Sequence, residues 1–406
     1  MQIIFPQPKL IFLSFFLFGL LNNVLYVVIL SAAVDLVGSS TPKAIVLLAD
    51  IIPSFGIKVS APFFISFVNY HVRVWTLVIL SSMGMVMISL SRQGQIWAKI
   101  VGIGLASLSS GLGEVTFLQL THYYERDKSI SGFSSGTGGA GLFGSFAYLL
   151  LTNLAGIPIW LALLIFSFMP TGFLFAFYIL LPQPSNLADP DYRPIDQASW
   201  TGQQPTWTSV ESVSTHIKNT IAEIKPLFLP YMMPLCLVYI AEYVINQGIS
   251  PTLLFPLENL PSWLFSSYRD IYVVYGFLYQ SGVFISRSSV CFGVRVKNLY
   301  LIAVLQFVNV LITLYQSVYD VPFPSIWPLL ILIFYEGLLG GLSYVNTFMS
   351  VSEEVPHDKR EFSLGCVGIS DTFGIMLAGC INWWLEPRLC DAQVLRGRYW
   401  CLKGSN

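Results

Sequence analysis

Charge is scarce in this sequence. Only 11% of its 406 residues are Asp, Glu, Lys or Arg, whereas 54% are hydrophobic. Soluble domains carry roughly 25% charged residues, so this chain has less than half of the charge that such domains expose to water. The apolar surplus is too large for a water-soluble core and must face lipid. The composition therefore predicts a multi-pass membrane protein.

Other absences exclude whole classes of function. The 21 basic residues balance 22 acidic ones, and this near-zero net charge argues against a nucleic-acid partner. The six cysteines contain no CxxC pair and the four histidines no HExxH motif, so we expect no metal site. A GxSxG elbow and a Walker motif are also lacking. We therefore expect a protein that is not an enzyme, has no catalytic residues and needs no cofactor.

Long apolar runs fill most of the chain. About 20 mainly apolar residues cross a bilayer as a helix. On that rule the sequence predicts eleven spans, at 10–33, 43–66, 73–91, 99–123, 131–154, 158–181, 226–248, 270–287, 298–317, 325–350 and 362–385.

A polar, proline-rich segment separates six of these spans from the other five. The sequence thus predicts an all-α membrane protein with an N-terminal six-helix bundle (1–181), a loop (182–225), a C-terminal five-helix bundle (226–386) and a tail (387–406). Two bundles joined by a long loop are typical of the major-facilitator fold. Within the loop, one apolar stripe indicates a short helix that lies either on the membrane surface or against the protein. It consists of Val210, Val213, Ile217, Ile221 and Ile224.

Basic residues indicate the orientation. With the N-terminus in the cytosol, twelve Lys and Arg residues fall on the cytosolic side and four on the other side before the tail. This bias predicts a cytosolic N-terminus and loop. Eleven spans then place the tail on the opposite side, where Cys390 and Cys401 are either bridged or free thiols.

The stretch SSGTGGAGLFG, residues 134–144, matches the GxGxxG pattern of dinucleotide-binding loops. A nucleotide loop follows a buried strand and has an acidic residue about 20 positions on, whereas here a membrane helix precedes it and position 161 is Leu. Small residues at helical spacing allow close helix approach in membranes. We therefore interpret this stretch, and a glycine pair in the second half, as helix-packing surfaces: Gly136, Gly138, Gly139, Gly141, Gly340 and Gly341.

Polar groups inside the spans mark a pathway or a pair, because ionisable side chains are costly there. We take as candidates for a substrate or ion pathway the residues Asp50, Lys58, Glu114, Glu242, Asn246, Arg287, Glu336 and Asp371.

Each candidate has two interpretations. Asp50 and Lys58 lie roughly 12 Å apart along one helix, so each either serves transport or pairs with another helix. Glu114 is either a proton carrier or a helix–helix hydrogen-bonding group. Glu242 and Asn246 share one helix face, which favours a substrate-lining role over a structural one. Arg287 either binds an anionic solute group or extends to lipid phosphates.

Several segments resemble the battenin family of lysosomal and vacuolar membrane proteins, and its fungal members above all. They include GLLNNVLYVVILSAAVDLV, SSGLGEVTFLQLTHYY, YIAEYVINQGISPTLLFP, YQSGVFISRSS, YEGLLGGLSYVNTF and GISDTFGI. The resemblance implies a major-facilitator-related fold, residence in the vacuolar membrane, and roles in vacuolar pH homeostasis and arginine handling. Animal relatives imply export of glycerophosphodiesters. Carried over by motif, Glu242, Arg287 and Asp371 are the expected functional positions.

The functional expectation is a vacuolar secondary transporter that moves arginine or glycerophosphodiesters between lumen and cytosol, with protons as a candidate coupling ion. The alternative is a non-transporting regulator of vacuolar pH and trafficking, which would bind trafficking or proton-pump partners at the cytosolic face. Both charge types occur within the spans, so electrostatics leaves the choice of solute open.

Overall fold

The computed structural model describes residues 7–32, 44–91, 95–182, 210–265 and 267–399. All secondary-structure elements within these ranges are helices. The α-helices are α1 (Gln7–Ser31), α2 (Ala44–Phe64), α3 (Tyr70–Leu90), α4 (Ile96–Leu120), α5 (Arg126–Leu149), α6 (Ile159–Phe166), α7 (Thr171–Leu174), α8 (Val210–Leu227), α9 (Met233–Val244), α10 (Tyr268–Arg287), α11 (Leu299–Tyr319), α12 (Ile326–Glu354), α13 (His357–Val367) and α14 (Ile369–Leu395). Short 3-10 and π turns extend or join several of them.

The all-α membrane fold predicted from the sequence is confirmed. In the described part of the chain, nine helical segments are long and apolar enough to cross a membrane. Two of the eleven expected spans, 131–154 and 270–287, are not among these nine, although α5 and α10 form there as helices. The many Gly and Ser residues lower the mean hydropathy of α5. Tyr, Arg and Asp residues lower that of α10.

Helix α5 packs against α1 through glycine. A Cβ atom placed on Gly136 would collide with the backbone carbonyl of Phe16, and one on Gly132 would lie 2.6 Å from the carbonyl oxygen of Phe12. A Cβ atom placed on Gly19 of α1 would likewise collide with the backbone of α5, at the carbonyl of Phe133. The two backbones are therefore in direct contact. Inside a membrane, where the hydrophobic effect does not drive helix association, such close van der Waals packing between small residues does. The remaining glycines of the stretch, Gly138, Gly139 and Gly141, are buried.

We expect Gly136→Ala to destabilise the protein by about 1–3 kcal/mol, because a methyl group has no room against a rigid backbone. Gly56→Ala is the matched control, since no atom lies within 4 Å of a Cβ built on this helical glycine. The control variant should be neutral or gain about 0.5–1 kcal/mol from helix propensity. Thermal unfolding of the two purified variants measures the difference, and equal midpoints would contradict a backbone contact at Gly136.

The chain divides into two compact units. Unit 1 comprises Met1–Met232, Val290–Val294 and Phe348–Ile369. Unit 2 comprises Met233–Ser289, Arg295–Thr347 and Ser370–Asn406. Residues 348–369, which the sequence-based division assigned to the C-terminal bundle, thus pack within unit 1, because α13 lies against α4 and α2.

Helix α8 bears part of the apolar stripe predicted in the loop. Ile217 and Ile221 are exposed on it, whereas Thr220 is buried. Most of the loop, residues 183–209, and the side chains of Val210 and Val213 lie outside the described residues. In the tail, Cys390 is disulfide-bonded, and Cys401 lies outside the described residues.

Candidate functional site

Unit 1 contains a buried ion pair between two of the candidate residues. The ammonium nitrogen of Lys58 on α2 lies 2.7 Å from a carboxylate oxygen of Glu114 on α4, and only 3% of the Lys58 side chain is exposed. The same nitrogen donates a hydrogen bond to the carbonyl oxygen of Gly368 at 3.2 Å. Lys58 therefore pairs with another helix, and the Glu114 carboxylate lies opposite a cation.

Gly368 adjoins this ion pair. Gly368 lies between α13 and α14, and a Cβ there would stand 3.7 Å from the second carboxylate oxygen of Glu114. Lys58 thus joins α2, α4 and the α13–α14 junction through one ammonium group. Since desolvating both charges is costly, the pair is a poor source of net stability but a strong constraint on which helices meet.

We expect Lys58→Met and Glu114→Gln each to destabilise the protein by about 3–5 kcal/mol, because each leaves an uncompensated buried charge. The double variant should regain most of that loss, since it removes both charges together. A double-mutant cycle on thermal unfolding measures this coupling. Additive losses in the double variant would show that the two side chains do not act as a pair.

Asp50 lies on α2 apart from this pair. Its side chain is 7% exposed, and its backbone carbonyl accepts a hydrogen bond from the Ser107 hydroxyl. Asp50 is among the residues that line a small cavity inside unit 1. The two ionisable groups of α2 therefore have separate environments.

Unit 2 assembles a second buried cluster around Glu242 of α9, which is 3% exposed. The Tyr279 hydroxyl on α10 donates a hydrogen bond to one Glu242 carboxylate oxygen. The other oxygen has no hydrogen-bond partner among the described residues. Gly340 of α12 makes room for the carboxylate, because a Cβ there would lie 2.8 Å from the Glu242 carboxyl carbon. A buried carboxylate oxygen without a hydrogen-bond partner favours binding of a proton or a cation.

Glu336 of α12 is a second buried acid in this cluster, 1% exposed. One of its carboxylate oxygens accepts a 2.9 Å hydrogen bond from the Asn246 amide, which also donates to the backbone carbonyl of Glu242 at 3.0 Å. The other Glu336 oxygen has no hydrogen-bond partner within the described ranges. Asn246 therefore ties the two acids together, and Glu242 and Glu336 lie within electrostatic range of each other.

Arg287, at the C-terminal end of α10, supplies a positive charge to the cluster. Its guanidinium group lies over the Tyr344 ring, 4.1 Å from the ring centroid, and donates a 2.9 Å hydrogen bond to the Tyr239 hydroxyl. Gly341 approaches this part of α10 closely, since a Cβ there would lie 3.1 Å from Cγ of Arg287. Stacking on tyrosine and hydrogen bonding hold the planar guanidinium in one orientation.

Asp371, near the start of α14, completes the set of candidate residues. One of its carboxylate oxygens accepts hydrogen bonds from the backbone amide and the hydroxyl of Thr372, at 2.5 and 2.9 Å. Arg287 and Asp371 both lie within electrostatic range of Glu242. Unit 2 thus places three acids and one arginine together, whereas Asp50, Lys58 and Glu114 belong to unit 1.

Sequence reasoning missed the tyrosines that orient these charges. Tyr279 and Tyr344 carry no recognisable signal, because tyrosine is common in membrane spans and only helix packing brings them to Glu242 and Arg287. It also missed Glu361 of α13, which accepts hydrogen bonds from the Tyr70 and Tyr123 hydroxyls at 2.6 and 2.5 Å within unit 1. The surrounding sequence EEVPHDKREF indicates a solvated loop, so the contact of one of its acids with two tyrosines was not predictable.

The fold is similar to that of solved membrane transporters. The chain is similar in fold to the human organic anion transporter MFSD10 (TM-score 0.60, 12% identity, 99% of each chain covered). It is also similar to a bacterial homologue of the iron transporter ferroportin in its outward-facing state (TM-score 0.59, 15% identity, 99% of this chain and 100% of that chain covered). At these identities the likeness concerns the fold alone. The class is therefore a multi-pass helical membrane protein that shares the fold of these two transporters.

The family follows from sequence similarity. The model of the CLN3 protein family matches residues 13–392, so the chain belongs to the CLN3, or battenin, family. Protein BTN1 of Debaryomyces hansenii is 66% identical to it over 413 residues, covering 100% of both chains. Protein BTN1 of Candida albicans is 63% identical (99% of each covered) and that of Saccharomyces cerevisiae 48% identical (96% and 98% covered). The predicted family is confirmed.

Proposed function

We propose that the protein is a secondary transporter of the vacuolar membrane, with its N-terminus in the cytosol, and that unit 2 binds the solute. The observation that carries this proposal is the buried cluster of one arginine and three acids, in which Glu242 and Glu336 each have one carboxylate oxygen without a hydrogen-bond partner among the described residues. Charges inside membrane proteins usually mark a substrate or ion pathway. The major-facilitator fold supports the same assignment.

The cluster suits a solute that carries both signs of charge. Arg287 would bind its anionic group, a carboxylate or a phosphate, through the guanidinium plane. Glu242 and Glu336 would face its cationic group, with the ring of Tyr239 providing an aromatic face for an ammonium. Arginine and a choline glycerophosphodiester both meet these demands. Moving either of them in exchange for protons would change the proton balance of the lumen, which links transport to vacuolar pH.

Protons are the proposed coupling ion at the same site. Two neighbouring buried carboxylates cannot both stay charged without a cation, so a proton and a solute cation would compete for Glu242 and Glu336. Protonation in an acidic lumen would release the solute cation there, and loss of the proton toward the cytosol would restore the empty site. This competition couples a solute flux to a proton flux in opposite directions.

Counterflow in liposomes tests the proposal. The purified full-length protein is reconstituted in vesicles with an acidic interior, and uptake of labelled arginine and labelled glycerophosphocholine is measured side by side. We expect saturable exchange of one solute, which identifies its class. Dissipating the proton gradient should slow that uptake if protons are coupled to it.

The control is protein-free liposomes, and folding of the reconstituted protein is checked by its elution as a single species. Absence of exchange of either solute by folded protein would contradict the transporter assignment. That result would favour a regulator that acts through partners at the cytosolic face.

A further inference from the structure

Helix α8 belongs to a helical segment that is too long for a single membrane span. This segment, Thr215–Thr252, is apolar enough to cross a membrane and has 38 residues. A straight helix of that length would measure about 57 Å, whereas the hydrocarbon core is about 30 Å thick. Pro226 in the last turn of α8 and Pro230 in the π turn that follows are positions at which a helix bends. Part of the segment therefore lies outside the core.

Two hydrogen bonds hold the two ends of α8 at unit 1. Nε2 of His216 donates to the carbonyl oxygen of Phe63 at 3.0 Å, near the end of the spanning helix Ala49–Phe67. Beyond the other end of α8, the Tyr231 hydroxyl donates to a carboxylate oxygen of Glu354 at 2.7 Å. Glu354 is the last residue of the spanning helix Ile326–Glu354. Both contacts are therefore made where a spanning helix ends.

These two ends lie on the same side of the membrane. Tyr70 follows the first of them and Glu361 follows the second, and the Tyr70 hydroxyl donates a 2.6 Å hydrogen bond to Glu361. Roughly 22 Å of helix separates His216 from Tyr231. Because both are held at one side of the membrane, α8 runs along the membrane surface and does not project away from it.

The faces of α8 differ in what they contact. His216 and Thr220, which is buried, lie on the face toward the protein. Ile217, Ile221 and Phe228 form a stripe that is 41%, 54% and 48% exposed. At 3.6 residues per turn this stripe is centred roughly 100° from the protein-facing side. The apolar side chains thus lie beside the protein, at the level where the spanning helices meet the headgroups.

Two exposed lysines flank the stripe on the side away from the protein. Lys218 and Lys225 are seven residues apart and share one helix face. Glu223, also exposed, lies on the opposite flank, beyond the protein-facing side. An apolar face bordered by lysines is typical of helices that lie in the membrane interface, where the ammonium groups attract anionic lipids.

We propose that α8 is a lipid-binding surface helix. Ile217, Ile221 and Phe228 insert among the upper parts of the acyl chains, and Lys218 and Lys225 bind the headgroups of anionic phospholipids. The stripe is continuous with the lipid-facing surface of the spans, since α8 leads directly into one of them. This inference concerns unit 1 and does not depend on the transport function proposed for unit 2.

Fluorescence quenching in nanodiscs tests the placement. The fluorescent amino acid Anap replaces one residue of the full-length protein, in the variants Ile221→Anap and Asn219→Anap. Asn219 is the matched control, because it is exposed and lies roughly 160° from Ile221 around the helix. Phosphatidylcholine with brominated acyl chains should quench Ile221→Anap at least about twofold more strongly than Asn219→Anap. Iodide in the water should quench them in the reverse order.

The lipid headgroup is tested with the same Ile221→Anap reporter. Replacing part of the phosphatidylcholine by phosphatidylserine should strengthen the quenching by brominated chains, and high salt should weaken this gain. The double variant Lys218→Gln/Lys225→Gln should lose the gain. The control Lys297→Gln/Lys359→Gln removes the same charge at exposed positions outside α8 and should keep it.

Equal quenching of the two positions by brominated lipid would overturn the proposal. Protection of Ile221→Anap from both quenchers would also overturn it, because a protein partner or a second copy of the chain would then cover the stripe. A gain with phosphatidylserine that survives in Lys218→Gln/Lys225→Gln would contradict headgroup binding by these lysines. Should Ile221→Anap fail to fold, Ile217→Anap reports on the same stripe. Solute counterflow is measured separately, so neither result decides the other.

Discussion

Replacing Glu242 by Gln should reduce solute exchange at least about 100-fold, which corresponds to ~2.7 kcal/mol. The substitution keeps the size of the side chain and an oxygen that can accept the Tyr279 hydrogen bond. It removes the negative charge that would face a solute cation or carry a proton, and the loss of one partner of a buried charge pair typically costs this much or more. Counterflow in liposomes with the solute identified for the wild type gives the measurement.

The matched control for this variant is Glu258→Gln, which removes an exposed carboxylate of unit 2. It should exchange solute at the wild-type rate. Equal unfolding midpoints of the two variants would show that Glu242→Gln is folded. Normal exchange by Glu242→Gln would remove this residue from the mechanism and contradict the proposed solute site.

Replacing Arg287 by Lys should weaken solute binding on the order of 100-fold, although the positive charge is kept. Lysine has no planar guanidinium to stack on the Tyr344 ring while it hydrogen-bonds the Tyr239 hydroxyl. Its rounded, strongly hydrated ammonium would bind an anionic group without a fixed orientation. The loss should appear as a higher solute concentration for half-maximal counterflow, because binding is what the guanidinium provides.

Arg388→Lys is the matched control for this second variant. Arg388 is exposed on α14, and its guanidinium lies over the Trp384 ring at 4.2 Å, so the same substitution disrupts an equivalent stacking contact outside the cluster. Its half-maximal concentration should stay at the wild-type value. A wild-type response of Arg287→Lys would show that no solute group depends on the guanidinium plane.

Composition and periodicity are enough to predict the class and the fold of this protein. The small share of charged residues and the runs of about 20 apolar residues predict a helical membrane protein, and nine described helices meet that requirement. These properties are local in sequence. The two weakest runs, at α5 and α10, depart from the rule because α5 buries a glycine-rich face against α1 and α10 contributes Tyr279 and Arg287 to a polar cluster. A helix that packs mainly on protein has less need of an apolar surface.

The residue types of the candidate site were also visible in the sequence, because an ionisable group inside an apolar run stands out. The contacts that each of these residues makes were not visible in the sequence. Lys58 pairs with Glu114, which is 56 positions further along the chain, and Asn246 binds Glu336 across 90 positions. Spacing along one helix says which side chains share a face, but it carries no information on which two faces meet.

The residue pattern alone was enough to predict a helical protein that crosses a membrane, belongs to the battenin family and carries a few charges within its spans. Packing between helices brings Glu114 to Lys58, Tyr279 and Tyr344 to Glu242 and Arg287, and Asp50 to the lining of a small cavity. The two kinds of information differ in the distance along the chain over which they act. Hydropathy and helical period act over neighbouring residues, whereas the partner of a buried charge depends on close packing between helices that are distant in sequence.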